Sequence, residues 1–390
     1  MRPKYLVSIL VLLALALPAS PAHAGGIVSV CDEAHLLAAL VGGGTMIFTC
    51  SGTIILTAEI TIAADTTIDG SGQTVTISGN DTVRVFTVNA GVILSLNKVN
   101  IVHGYAASGS GGGIANNGSI IVTNSTFSDN YGYADGGGLY NGGTAAVIES
   151  IFTRNGAHYA GGAIYNGAGA LTVTNSTLAG NGVAYGGGGI YNHDGTVIVS
   201  GSTLSGHAAE AGGAISNGGT LIVSNSTFFG NRAPGFDGGG GIYNYGTATV
   251  TNSTLAGNTA DSSRGAGIQN DGTITLKNTI VGNSQEGMNC YGGIVDGGGN
   301  LSYPDTTCPG INLDPKLGTL NNNGGPTKTM SLMPGSAALD SAVDAVCAAP
   351  PVKNLDQRGI TRRQGAHCDI GAFEARDPTT RRAFLPIIMR

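Results

Sequence analysis

Apolar and polar residues alternate along this chain in short runs, and the runs return at a nearly constant interval. Between Ile114 and Ile268 a phrase reading Gly-(Gly/Ala)-(Gly/Ala)-(Ile/Leu)-x-Asn recurs seven times, its apolar residue falling at Ile114, Leu139, Ile164, Ile190, Ile215, Ile242 and Ile268. The steps are 25, 25, 26, 25, 27 and 26 residues, and each phrase closes on an asparagine: Asn116, Asn141, Asn166, Asn192, Asn217, Asn244 and Asn270. A unit this short cannot bury its own apolar face, so it must stack on its neighbours.

Residues 161–181 show what one unit should look like. Leu171-Thr-Val-Thr-Asn-Ser-Thr-Leu178 alternates with period two and is rich in β-branched residues, which predicts a strand with one buried face. Residues 120–127, 221–228 and 247–255 repeat it. Glycine pairs and Asn-Gly steps supply corners at positive φ, and glycine recurs too often for a helical stripe to form. A short strand, a corner, a longer strand, a corner and a link make one coil of a parallel β-helix, with successive coils about 4.8 Å apart. The expected fold class is all-β, a single solenoid.

Stacking then predicts ladders of like residues. Phe127, Phe152, Leu178, Leu204, Phe228, Leu255 and Val281 should pile up inside the shaft. Ser125, Ser150, Ser176, Ser202, Ser226, Ser253 and Thr279 form a hydroxyl row beside them, and Asn130, Asn155, Asn181, Asn231, Asn258 and Asn283 a second amide row, with His207 in the missing place. Stacked amides donate and accept along the axis and so satisfy one another. The Asn-x-Ser/Thr matches at Asn124, Asn175, Asn225 and Asn252 are products of this ladder and not glycosylation sites, and His207 is a ladder substitute and not a ligand. Residues 51–110 carry the same β character more loosely, as early coils. Residues 25–50 form an N-terminal cap over the open first edge, with a short helix at 32–40. The regular repeats occupy 111–283 within a β-helix of 51–300.

Sixty-six glycines and no tryptophan suggest low complexity, but apolar residues at fixed phase argue for a folded solenoid. Residues 1–24 read as a secretory signal peptide: Arg2 and Lys4, an apolar run over 5–17 too short to span a bilayer, then Ala22-His23-Ala24. Its removal makes the net charge of −6 more negative and leaves no segment long and apolar enough to be a transmembrane helix. An acidic chain without a basic stripe argues against nucleic acid. All six cysteines lie outside the repeats. In an exported chain they should form disulfides, and sequence proximity favours Cys31–Cys50, Cys290–Cys308 and Cys347–Cys368. The expected location is extracytoplasmic, secreted or on a bacterial cell surface.

The phrase Gly-Gly-(Ala/Gly)-Ile-Tyr-Asn…Val-x-Asn-Ser-Thr-(Phe/Leu)-x-x-Asn resembles the repeats of bacterial right-handed parallel β-helix proteins of the pectin-lyase-like fold, including the polymorphic outer membrane protein type. Farther on, Asp314-Pro-Lys-Leu-Gly-Thr-Leu320, Asn323-Gly-Gly-Pro-Thr327, Asp356-Gln-Arg-Gly359 and Cys368-Asp-Ile-Gly-Ala-Phe-Glu374 resemble the choice-of-anchor Q module. That resemblance implies a small C-terminal module over 301–375 ahead of a surface-attachment signal, yet the tail of 376–390 carries no cell-wall sorting motif and is too short for a barrel.

Lyases of this fold hold calcium on carboxylates and take a proton with a basic residue, and its hydrolases use close aspartates. The acids across 111–283 are Asp129, Asp135, Glu149, Asp194, Glu210, Asp237, Asp261 and Asp271, against Arg154, Arg232, Arg264 and Lys277. No two acids are adjacent or two apart. Asp135, the Tyr159-Ala160 step, Glu210, Asp237 and Asp261 all fall in the variable link before a glycine pair, the edge where function collects on a solenoid. No catalytic residue, metal ligand or cofactor is assigned, calcium on that loose acidic edge being the secondary reading.

A more concrete surface is the row between the buried Ile and Asn: Ala115, Tyr140, Tyr165, Tyr191, Ser216, Tyr243 and Gln269. Strand alternation points it outward. Tyr140, Tyr165, Tyr191 and Tyr243 therefore form the candidate glycan-contact strip, unless the rings merely stack on one another and stabilise the sheet. The expected function is non-catalytic: adhesion, contact with a polysaccharide or cell-surface glycan, or a structural role in the envelope. The alternatives are a polysaccharide lyase or glycoside hydrolase, and a passive spacer rod.

Overall fold

The protein is represented by a computed structural model that describes residues 25–261 and 263–376. The signal peptide assigned to 1–24, and all of the tail except Arg376, lie outside the described residues. Three parallel sheets of 12, 11 and 10 strands wrap around one core and make a solenoid of about ten turns. In the coil already taken as an example, the strands are Ile164–Asn166, Ala170–Thr174 and Thr177–Ala179, followed by the two-residue Gly182–Val183. We call the three sheets the tyrosine sheet, the long-strand sheet and the third sheet.

The coil thus has three main strands where the sequence pattern suggested two. The single strand expected over 171–178 breaks at Asn175, whose φ is +50°. Asn124, Asn225, Asn252 and Asn278 hold the same left-handed corner in other coils, Lys98 and Glu149 in two more, and Gly201 in another. Asparagine tolerates this region because its short amide bonds locally. The Asn-x-Ser/Thr tripeptides therefore mark corners.

Inside the shaft the ladders form as stacking physics requires. Phe127, Phe152, Leu178, Leu204, Phe228, Leu255 and Val281 pair in register and are all buried, with the Phe127 and Phe152 rings 4.5 Å apart. Each serine of the hydroxyl row from Ser150 to Ser253 accepts the backbone N–H of its predecessor at 3.1–3.3 Å. From Asn116 to Asn270 every amide donates to the next at 2.7–2.9 Å. The second amide row holds from Asn130 to Asn258 but does not include Asn283. Val281 pairs with Leu255, which puts Ser284 opposite Asn258, while Asn283 takes the corner at φ +53°.

His207 occupies its rung as expected. Its Nδ1 accepts the Asn181 N–H at 3.1 Å and its own N–H donates to Asn231 Oδ1 at 3.1 Å. Burial lowers its pKa to about 4, so the ring is neutral and carries its proton on Nε2, which is buried without a partner. An asparagine there would instead donate along the ladder. His207→Asn is expected to raise stability by about 1 kcal/mol, read as a higher urea midpoint; a lower midpoint would show that the imidazole's packing outweighs its orphaned N–H.

A short helix lies at the first edge of the solenoid. Helix Glu33–Leu40 is capped by Asp32, whose carboxylate accepts the His35 N–H at 2.8 Å, and it lays Leu36 and Ala39 on the core. Cys31–Cys50, Cys290–Cys308 and Cys347–Cys368 are all bonded.

Beyond Leu301–Tyr303 the chain turns back along the outside of the third sheet. A hairpin, Leu317–Asn321 with Thr329–Leu332, leads to a short helix at Asp344–Ala348 that the sequence did not signal. Outward threonines become docking points: Thr203 Oγ1 donates to Lys328 O at 2.6 Å, Thr227 Oγ1 to Gln357 Oε1 at 2.6 Å, and Thr254 Oγ1 accepts the Ala372 N–H at 3.0 Å. At Gly371, with φ +100°, a Cβ would stand 2.8 Å from Thr254 Oγ1, so only glycine fits there.

Buried Arg362 ties this segment together. It donates to Leu355 O, Asp369 O, Gly371 O and Glu374 Oε2, and across to the corner amide Asn225 Oδ1 at 3.0 Å. Arg358 forks onto Asp356 at 2.8 and 2.6 Å and lies 3.6 Å over the Phe373 ring. Two guanidiniums thus face three carboxylates. Burial, then the charge of Glu374, push Asp369 up to about 7.

Candidate functional site

The tyrosine sheet brings Ala115, Tyr140, Tyr165, Tyr191, Ser216, Tyr243 and Gln269 into one register. Alternation is the cause: the flanking Ile and Asn point inward, so the residue between them must point out. The rings stack on each other, Tyr140–Tyr165 and Tyr165–Tyr191 each at 5.4 Å and within 11° of parallel. The row faces outward, and its ring faces are largely turned to one another, which leaves ring edges and hydroxyls on the outer side.

Ser216 interrupts the row, and Tyr245 repairs it. Its hydroxyl lies 2.9 Å from that of Tyr191 and its ring 5.4 Å from Tyr243. It leans across Gly218, where a Cβ would collide with Tyr245 Cε2. The strip is thereby continuous from Tyr140 to Tyr243.

A second wall rises from the links. Asp135, Ala160, Gly186, Ala211 and Gly238 bridge in parallel, one per coil, and make a floor of small residues about 19 Å long at the strand spacing. One position earlier stand Tyr159, Tyr185, Glu210 and Asp237. Tyr159 and Tyr185 are 5.9 Å apart and about half exposed, at 47% and 53%. His158 continues this aromatic group toward Tyr133 at 5.7 Å. The sequence reading noted these links as the irregular edge but did not see their tyrosines as a wall, because only the bridge register aligns them.

Between the walls lies a recess of about 310 Å³ lined by Asp135, Tyr159, Ala160, Tyr165, Tyr185, Gly186, Tyr191 and His193. Gly186 makes room for it: a Cβ there would stand 3.1 Å from Tyr191 Cε2. Burial raises the Asp135 pKa, opposed by the Ala160 amide, the Ser110 hydroxyl and the charge of His193. Burial, then the charge of Asp135, push the Tyr165 hydroxyl well above the usual phenol range. Burial does the same to Tyr243 and Tyr245. These phenols are thus neutral hydrogen-bonding groups and not bases.

The remaining acids are dispersed. Asp129 pairs with Arg154 one coil on, at 2.7 Å to each nitrogen. Asp261 closes its own turn on Ser263, Asp194 pairs with His193 at 2.7 Å, and Asp271 accepts from Gln269 at 3.3 Å. Glu210 and Asp237 extend the wall beyond Tyr185. Arg264 lies over the Tyr291 ring at 5.7 Å. Among the described residues no group of three or more His, Cys, Asp or Glu is placed to hold a metal ion.

With this geometry in hand, a likeness to a solved structure is informative. The crystal structure of pectate lyase Pel9A is similar to this chain with a TM-score of 0.54, over 87% of this chain and 90% of that one. The fold is pectate-lyase-like. At 14% identity the likeness extends to the fold alone, and the parallel solenoid agrees with it. No family model and no curated protein matches the sequence. Among the described residues no helix is long and apolar enough to cross a membrane.

Proposed function

We propose that this protein is an extracytoplasmic, non-catalytic β-helix that holds an extended glycan in the trough between its two aromatic walls. The observation that carries the proposal is the conjunction of Tyr165 and Tyr191 on one side, Tyr159 and Tyr185 on the other, and a side-chain-poor floor between them. Amphipathic rings flanking an open channel suit sugars, which offer both apolar faces and hydroxyls. Three disulfides suit an oxidising compartment. The repeat phrase supports kinship with bacterial β-helix proteins of the polymorphic outer membrane type, and the Asp-Gln-Arg-Gly and Cys-Asp-Ile-Gly-Ala-Phe-Glu motifs support a choice-of-anchor Q-like module, so display on a cell surface is part of the proposal. A passive spacer would have no use for the trough.

Purified mature protein should retain members of a polysaccharide panel in affinity electrophoresis. Tyr140→Ser, Tyr165→Ser and Tyr191→Ser combined should weaken retention at least tenfold, since each ring contributes about 1 kcal/mol, as should Tyr159→Ser with Tyr185→Ser. Unchanged retention in both variants would remove the trough from function. Release of unsaturated or reducing sugars by the wild type would instead establish the lyase or hydrolase alternative of this fold.

A further inference from the structure

The charge at the aromatic end of the trough narrows the ligand class. Asp135 terminates the floor row and lines the recess together with four tyrosines, and neither lysine nor arginine lines it. The one basic side chain there, His193, is engaged by Asp194 at 2.7 Å. A half-buried carboxylate ringed by phenol hydroxyls repels uronates and attracts a cation, because the carboxylate and the phenol oxygens all present negative potential. Burial outweighs the Ala160 amide, the Ser110 hydroxyl and the charge of His193 at the Asp135 carboxylate, and a bound cation would relieve the remaining cost.

We propose that this recess is a subsite for a protonated amino group carried on the glycan, with Asp135 as its counter-ion and Tyr159, Tyr165, Tyr185 and Tyr191 as its cage. The ammonium sits at the Asp135 end, and the rest of the chain runs along the floor over Gly186 toward Ala211 and Gly238. Amino-sugar polymers are thus preferred, and polyuronates of the kind a pectate lyase cleaves are excluded. The inference rests on the glycan-binding proposal and refines it.

The two separate in one titration series with the full-length mature protein. Glucosamine hexamer, N-acetylglucosamine hexamer and galacturonate hexamer would each be titrated by calorimetry against wild type and Asp135→Asn, with thermal melting to confirm that the variant folds. The wild type should bind the glucosamine hexamer at least about tenfold tighter than the acetylated one, the scale of a hydrogen bond to a charged group, and should not bind galacturonate. In Asp135→Asn that preference should vanish, because the amide keeps the shape and removes the charge. Equal affinity for the amine and acetylated hexamers, or a preference that survives Asp135→Asn, would overturn the ammonium subsite while leaving glycan binding intact. If none of the three hexamers binds, both proposals fall.

Discussion

Arg362→Ala is expected to cost about 3–5 kcal/mol, the usual range when one member of a buried ion pair is removed. The guanidinium is fully buried, and burial alone would lower its pKa; Glu374, Asp356 and Asp369 hold its charge in place. Truncation strands Glu374, which keeps only its backbone donors from Arg363, Gln364 and Asp369. It also strips donors from Leu355 O, Asp369 O and Gly371 O, and breaks the one side-chain link to Asn225. Cys347–Cys368 still tethers the segment, so detachment should be local. Hydrogen exchange is therefore the sharper readout: amides of residues 355–375 should exchange faster, while those of the coils before Gly201 should not change. A variant with wild-type protection over 355–375 would mean that the threonine and Gln357 contacts hold the segment without the ion cluster.

Asn192→Ala is expected to cost about 3 kcal/mol, with each buried group left unpaired contributing about 1–3 kcal/mol. Asn192 donates to Asn217 Oδ1 at 2.7 Å, Gly195 O at 2.9 Å and Thr220 O at 3.3 Å, and accepts from Asn166 at 2.9 Å. Alanine removes all four bonds and leaves a void in a dry ladder. Asn192→Asp should be worse at neutral pH, because a carboxylate cannot donate and would face carbonyl oxygens. Urea denaturation of both variants against wild type tests this. If aspartate proved the milder change, the rung would be wetter than its zero exposure indicates.

How much of this was legible beforehand follows from which forces repeat. Core and ladder positions recur once per coil because stacking demands it, so Phe127, Ser125 and Asn116 announced their rows through spacing alone. The three-strand coil was legible too, but through a subtler sign. Leu171 and Val173 point inward, then Ser176 and Leu178 do, so the alternation slips by one residue at Asn175. Reading 171–178 as a single strand passed over that slip. Asn283 was misplaced by a one-residue slip: each rung lies three residues after its core residue from Phe127 to Leu255, and three after Val281 stands Ser284.

The candidate site was half visible. Tyr140, Tyr165, Tyr191 and Tyr243 stood out by period, whereas Tyr159, Tyr185 and Tyr245 lie in segments whose length varies between coils, where period counting fails. Asp135 was seen as one acid among several. Its placement at the end of a floor of Ala160 and Gly186 depends on bridge register. The motifs after residue 314 carry a resemblance to one module, but no spacing rule indicates that Gln357 and Arg362 would reach back more than a hundred residues to Thr227 and Asn225.

That return path makes the rod mechanically uneven. Thr203, Thr227 and Thr254 lie under the returning segment and are nearly inaccessible, while Ile151, at the equivalent place in an earlier coil, is 45% exposed. Coils built from almost the same phrase are therefore splinted on one side from Gly201 onward and bare before it. Pulled or heated, the shaft should yield first in its unsplinted half, which carries the aromatic end of the trough.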